Sequence, residues 1–319
     1  MNIVVLERNS VGQDIDVSCF EKLGEVIFYD NTVTEEDICS RIKDADIVVA
    51  NKARLNRNTM ERAENLKMIC EMATGYDNID VEYCRERGIR VANVTDYSTP
   101  IVAQHTITLA LSILQKIVHY DQYVKSGEYG NQKLFSNYDV PFYELAGKTW
   151  GIAGFGNIGR QVAQIAEAFG CHVIYYSFTG RNSSDKYERV DKETLLRESD
   201  IVSLHCPLSE LSRYFIDAQA LSIMKKTAVL INVARGPVVN QQALYDALVN
   251  DQIAGAGLDV LEQEPIVESN PLCLIQDSSK LIITPHLAWA SVEARQRLVQ
   301  KACENIKAFL GGEKKNVIC

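Results

Sequence analysis

Three stretches place side chains able to do chemistry together at strand ends. They are Asn232-Val233-Ala234-Arg235-Gly236, Leu258-Asp259-Val260 running on to Glu264-Pro265, and Thr284-Pro285-His286. Each follows a short apolar run that reads as a β-strand: Ala228 to Asn232, Ala254 to Leu258 and Leu281 to Thr284. In an open parallel sheet, ligands bind in the crevice outside the carboxyl ends of the strands. An arginine there offers a planar fork that grips a carboxylate at two points, which lysine cannot reproduce. A histidine changes charge near neutral pH and moves a proton in either direction. A glutamate bonded to its far ring nitrogen favours the protonated ring and fixes its orientation. Arg235, Glu264 and His286 are therefore read as one set. It holds a carboxylate, polarises the neighbouring carbonyl and protonates the alkoxide formed when hydride arrives.

The hydride source is announced upstream by Gly154-Phe155-Gly156-Asn157-Ile158-Gly159. That pattern follows the strand-like Thr149 to Ala153 and opens a helical stretch from Asn157 to Phe169, the context a dinucleotide fingerprint requires. Gly154 permits the tight turn, Gly156 lets the backbone approach a pyrophosphate, and Gly159 allows close contact between helix and strand. The helix N-terminus presents free N–H groups to the phosphates. Asp259 is assigned to the nicotinamide carboxamide, Val233 and Ala234 to the cofactor, and Cys206-Pro207 to the edge of the adenine. The acidic residue expected about 20 residues past the glycine loop, to bind the ribose diol, is missing. Ser177-Phe178-Thr179-Gly180-Arg181-Asn182 stands there instead. Without that carboxylate a 2′-phosphate is not repelled, and Ser177, Thr179 and Arg181 are candidates to bind it. NADP(H) is the expected cofactor, ahead of NAD(H).

Stepping those residues into place takes more than one core. The chain has 319 residues, long for a single domain, so two are expected. Net charge is −9 with no basic block, which argues against nucleic acid as a partner. A strand pattern begins at Asn2, leaving no room for a secretory signal, and the uncharged stretch Tyr97 to Gln115 reads as a core helix and not a membrane span. Nine cysteines without a C-x-x-C pair point to a reducing cytoplasm and against a disulfide framework or zinc site. Five scattered histidines show no metal spacing.

The first hundred residues alternate strand and helix patterns, with strands at Asn2–Leu6, Val26–Tyr29, Asp46–Ala50, Met68–Cys70 and Ile89–Val94. Thr34, with Asp37 three positions on, caps a helix running to Lys43. Pro100 suits the first turn of a long apolar helix ending near Tyr120. From Thr149, six strands are expected, the complement of a complete dinucleotide-binding sheet. A last amphipathic helix, Ser291 to Leu310, has no required place in that sheet and is expected to cross back to the first domain. The fold class is α/β with two doubly wound domains.

These residues together resemble the D-isomer-specific 2-hydroxyacid dehydrogenase family over the whole chain. The resemblance implies a discontinuous flavodoxin-like substrate domain, residues 1–99 and 288–319. It also implies an inserted Rossmann NAD(P)-binding domain, residues 100–287, and usually a homodimer. In that family the arginine matching Arg235 binds substrate, the histidine matching His286 is the acid/base and the glutamate matching Glu264 orients it. Glu264 stands where formate dehydrogenases have glutamine, so that branch is not expected, and neither is a 3-phosphoglycerate dehydrogenase with its usual regulatory extension. Ala73-Thr74-Gly75-Tyr76, Asn78-Ile79-Asp80, Tyr97-Ser98-Thr99 and His286-Leu287-Ala288-Trp289 look most like the glycerate dehydrogenase (hydroxypyruvate reductase) branch. The resemblance implies that backbone N–H groups around Thr74 and Gly75 meet the substrate carboxylate, with Lys52 a further candidate. The expected partner is a small 2-keto or 2-hydroxy acid. D-lactate or a bulkier acid, and a corepressor-like dinucleotide sensor without turnover, are the alternatives.

Overall fold

Two parallel sheets carry the chain in the computed structural model, which describes residues 1–319. One sheet belongs to a unit made of Met1–Ser98 and Trp289–Cys319, the other to a unit made of Thr99–Ala288.

The first unit runs β1 (Asn2–Val5), β2 (Glu25–Phe28), α1 (Glu35–Ile42), β3 (Ile47–Ala50), α2 (Arg57–Met60), β4 (Met68–Glu71), α3 (Val81–Arg87) and β5 (Arg90–Ala92). Its strands pair in the order β2-β1-β3-β4-β5, all parallel, which is the flavodoxin-like order. Strands β3 and β4 are buried along their whole length, as expected where both faces of a parallel sheet are covered. At α1 the Thr34 hydroxyl accepts the Asp37 N–H while the Asp37 carboxylate accepts the Thr34 N–H, a reciprocal cap that satisfies two otherwise orphaned donors.

The second unit runs α4 (Thr99–Leu114), α5 (Ile117–Lys125), α6 (Glu128–Asn131), β6 (Thr149–Ala153), α7 (Asn157–Ala168), β7 (His172–Tyr176), β8 (Glu188–Arg189), α8 (Lys192–Glu198), β9 (Ile201–Leu204), α9 (Ala218–Ile223), β10 (Val229–Asn232), α10 (Gln241–Val249), β11 (Gly255–Leu258) and β12 (Leu281–Ile283). The strand order is β12-β11-β10-β9-β6-β7-β8, the Rossmann order with one strand added beyond β11. Six strands were expected and seven are present. The unforeseen one, β8, is two exposed residues long, too short to show any apolar alternation.

The expected single helix to Tyr120 is two helices. Lys116 adopts a left-handed backbone (φ +57°) between α4 and α5, and its ammonium donates to the Ser279 carbonyl at 2.7 Å. Eight residues of α4 are buried, which makes it a core element. No single helix is long and apolar enough to cross a membrane; α4 and α5 reach that length only as a pair bent by 57°.

Helix α11 (Val292–Leu310) is part of the first unit, capped by the Ser291 hydroxyl accepting from the Ala294 N–H. It buries Leu298, Val299, Ala302 and Ile306 completely, and Asn305 donates to the Asn93 carbonyl at 2.8 Å. Here the expectation of no disulfide is overturned. Cys19 and Cys303 are bonded, with their Cα atoms 6.3 Å apart, while the other seven cysteines are free. The two lie 284 positions apart, so no local spacing marks them as partners.

Candidate active site

Strands β10, β11 and β12 are neighbours, and their ends are level: Asn232 pairs with Leu258, and Leu258 with Ile283. Arg235, Asp259 with Glu264, and His286 therefore hang from three adjacent strands at one edge of the sheet. The structure brings the predicted catalytic elements of this unit together.

His286 has a left-handed backbone (φ +54°), with its N–H donating to the Asp259 carbonyl at 2.8 Å. Its Nδ1 lies 2.6 Å from Glu264 Oε2, and Glu264 Oε1 accepts the Leu261 N–H at 2.8 Å. An ionised carboxylate only accepts, so Nδ1 carries the hydrogen of that bond and Nε2 is the position left for proton exchange. The ring and its carboxylate stay partly exposed, at 26% and 35%.

Arg235 is half-buried on a turn latched by Asn232. The Asn232 amide donates to the Arg235 carbonyl and accepts the Ala234 N–H, both at 3.0 Å. Asn232 is 1% exposed and was not singled out from sequence. Gly236 follows because a Cβ there would fall 1.9 Å from the Leu261 carbonyl. The arginine turn thus lies directly on the backbone leading to Glu264.

Asp259 is 2% exposed. It accepts from the Thr284 hydroxyl at 2.6 Å, the Leu287 N–H at 2.9 Å and the Ala288 N–H at 2.8 Å. All three bonds tie β11 to the turn bearing His286. The sequence reading gave Asp259 to the carboxamide and did not assign it this work.

The glycine loop is built for close approach. At Gly154 (φ +98°) a Cβ would fall 2.7 Å from the His205 backbone, and at Gly159 one would fall 2.3 Å from the Gly154 carbonyl. Gly156, the N-cap of α7, has nothing within 4 Å of its missing Cβ, so its backbone is open to a phosphate. These residues fit a dinucleotide pyrophosphate. Phe155 is 1% exposed and stacked on Tyr175 at 4.0 Å, and the partly buried Ile158 packs against the same core. The Cys206 thiol is also buried, and burial pushes it up to about 12, while the Pro207 carbonyl accepts from the Ser212 hydroxyl at 2.7 Å.

Past β7 a cleft of about 560 Å³ is lined by Tyr176, Ser177, Phe178, Thr179, Gly180 and Arg189, among others. Arg181 is exposed and does not line it; Arg189, from the unforeseen β8, does. Its Nη1 donates to the Gly180 carbonyl at 3.4 Å. Asp191 is the one carboxylate on that lining, and it is engaged as the cap of α8, accepting the Thr194 N–H.

Lys52, Thr74 and Gly75 belong to the first unit, following the adjacent strands β3 and β4. The Asn51 and Lys52 N–H groups both donate to the Glu7 carboxylate, at 2.8 and 2.9 Å. The Thr74 hydroxyl donates to the Val94 carbonyl at 3.1 Å, and its own carbonyl accepts from Asn93 at 2.6 Å. Nearby Glu71 is buried with Oε1 unpartnered, and burial pushes its carboxyl well above the ordinary carboxylate range.

Known proteins share this architecture. The family profile described as "D-isomer specific 2-hydroxyacid dehydrogenase, NAD binding domain" matches residues 107–288. A hydroxypyruvate reductase of Blautia hydrogenotrophica is 38% identical, covering 100% of this chain and 99% of its own. A glycerate dehydrogenase of Methylorubrum extorquens is also 38% identical, covering 99% and 98%. Among solved structures, an NADPH-dependent glyoxylate/hydroxypyruvate reductase of Sinorhizobium meliloti, in complex with NADP and malonate, superposes with a TM-score of 0.84. It is 28% identical and covers 100% of this chain and 96% of that one. With its Rossmann sheet, its glycine loop and Arg235, Glu264 and His286 following three adjacent strands, the chain belongs to the D-isomer-specific 2-hydroxyacid dehydrogenase family of oxidoreductases.

Proposed function

We propose that this enzyme reduces hydroxypyruvate to D-glycerate, and glyoxylate to glycolate, with NADPH preferred over NADH. The observation that carries the reading is the Glu264–His286 pair, 2.6 Å apart, level with Arg235 on three adjacent strands. The names of the full-length relatives support the substrate class.

The nicotinamide, when bound, supplies hydride to C2 of the keto acid. Arg235 grips the substrate carboxylate through its planar fork. His286 donates a proton from Nε2 to the oxygen that becomes the hydroxyl, and Glu264 stabilises the imidazolium beforehand and keeps the ring aligned. In the oxidative direction neutral His286 takes the proton back. The glycine loop from Gly154 to Gly159 would hold the pyrophosphate, Cys206-Pro207 would border the adenosine, and Val233, Ala234 and Asp259 would border the nicotinamide. Lys52 and the Thr74 and Gly75 backbone are proposed as further substrate ligands.

The preference for NADPH rests on the cleft after β7, where Ser177 replaces the diol-binding carboxylate and Thr179 and Arg189 face the space. The NADP complex of the Sinorhizobium meliloti relative supports it. A homodimer is proposed because Leu134, Phe135, Tyr138 and Phe142 stand 69%, 87%, 71% and 56% exposed on one short segment, an apolar patch that a second copy would cover. The seven free cysteines favour a cytoplasmic setting.

The test is a panel of 2-keto acids, pyruvate and branched acids included, run with NADPH and NADH while cofactor absorbance is followed. Highest kcat/KM with hydroxypyruvate and NADPH is expected. Highest kcat/KM with pyruvate or a branched acid would move the substrate assignment, and binding of cofactor without turnover would leave a sensor.

A further inference from the structure

We propose that His105 is a positioning residue for the reaction, holding, through Thr284 and Asp259, the turn that aims His286. Helix α4 brings the His105 ring within 3.0 Å of the Thr284 hydroxyl, measured from Nε2, and leaves it 14% exposed. Thr284 has one hydroxyl proton. Its bond to Asp259 Oδ1, at 2.6 Å, takes that proton, because a carboxylate only accepts and turning the proton to His105 or to the Leu258 carbonyl, 3.5 Å away, would leave two acceptor oxygens facing each other. The hydroxyl oxygen therefore accepts from His105, which fixes the hydrogen on Nε2.

Asp259 is the junction of this chain. Beyond the Thr284 hydroxyl it receives the N–H groups of Leu287 and Ala288, the two residues after His286. Those bonds bracket His286 in a left-handed conformation that a non-glycine residue keeps only where its surroundings impose it. Without the His105 N–H, Thr284 loses the donor that holds its oxygen in line and is free to turn toward the Leu258 carbonyl. Asp259 then loses one of its three donors, and the turn loses part of what imposes its shape. Burial lowers the His105 pKa, against the pull of Asp259 Oδ1 at 3.7 Å, so the ring acts as a neutral donor. The effect of His105 on the reaction passes through His286.

The inference rests on His286 being the proton donor, so His286→Ala is measured alongside His105→Phe, His105→Gln and Thr284→Val in the full chain. His105→Phe is expected to lower kcat by roughly 10- to 100-fold, the scale of a small misplacement of a catalytic group, with the cofactor KM and Tm little changed. His105→Gln keeps an N–H at the same reach and should recover most of the lost turnover. Thr284→Val should match His105→Phe. Full turnover by both His105→Phe and Thr284→Val overturns the relay. So does a loss in His105→Phe that glutamine fails to rescue and that parallels a fall in Tm, because that is packing alone. Normal turnover by His286→Ala would instead remove the proton donor, a separate result from an active His105→Phe beside an inactive His286→Ala.

Discussion

Glu264 Oε2 lies 2.6 Å from His286 Nδ1, and its other oxygen is held by the Leu261 N–H at 2.8 Å. The carboxylate is fixed at both oxygens before any substrate arrives, and the ring has one orientation with Nε2 outward.

Glu264→Gln keeps the shape but has one acceptor oxygen where the carboxylate uses two, so it cannot accept from both His286 Nδ1 and the Leu261 N–H, and the imidazolium loses its counter-charge. We expect kcat to fall by about tenfold or more, within the range of general acid–base effects, with the keto-acid KM little changed. Steady-state kinetics check it; an unchanged kcat would mean that the carboxylate does not assist the proton transfer.

Arg189 is the cation that lines the cleft beyond β7, and Arg181 is not. A charge-assisted hydrogen bond is worth about 1.5–3 kcal/mol, or roughly 10- to 100-fold in affinity. Arg189→Ala should raise the KM for NADPH by that factor and leave the KM for NADH nearly unchanged. Arg181→Ala should do little to either. Equal effects of Arg189→Ala on both cofactors would remove it from 2′-phosphate recognition.

Glu71 ties the pH dependence of stability to one buried group. Burial raises its carboxyl well above the ordinary value of 4.5, so the folded chain binds a proton that the unfolded chain releases above that pH. Its contribution is fully present below pH 4.5 and is lost as pH rises toward the folded value. Glu71→Gln cannot ionise. Thermal melts of both proteins from pH 5 to pH 8 should show the variant gaining on the wild type as pH rises. A gap that stays constant would mean that Glu71 ionises as readily in the folded chain as in the unfolded one.

The Cys19–Cys303 bond joins the segment before Phe20 to α11. Protein unfolded in denaturant without reductant should therefore titrate seven thiols, and nine after reduction. Nine thiols before reduction would contradict the bond.

The sheets and the grouping of Arg235, Glu264 and His286 at adjacent strand ends were legible because their signals are local. Buried parallel strand segments such as Ile47–Ala50 and Val229–Ile231 are unbroken apolar runs, and the glycine loop repeats a pattern that only close packing demands. What escaped depends on contacts between distant residues. The Cys19–Cys303 pair has no spacing rule, and β8 is too short to show a period. Arg189 was missed with it, because its place beside Ser177 follows from strand pairing and not from sequence distance. Asn232 and Thr284 read as ordinary strand-end residues; only their hydrogen bonds reveal them as latches for Arg235 and His286.

The most direct test of the central claim is turnover by His286→Ala with hydroxypyruvate and NADPH, together with cofactor affinity by titration. A kcat lower by about 10²–10⁴, with cofactor affinity retained, is the expected result. Turnover near that of the wild type would contradict the assignment of His286 as the group that gives the substrate its proton.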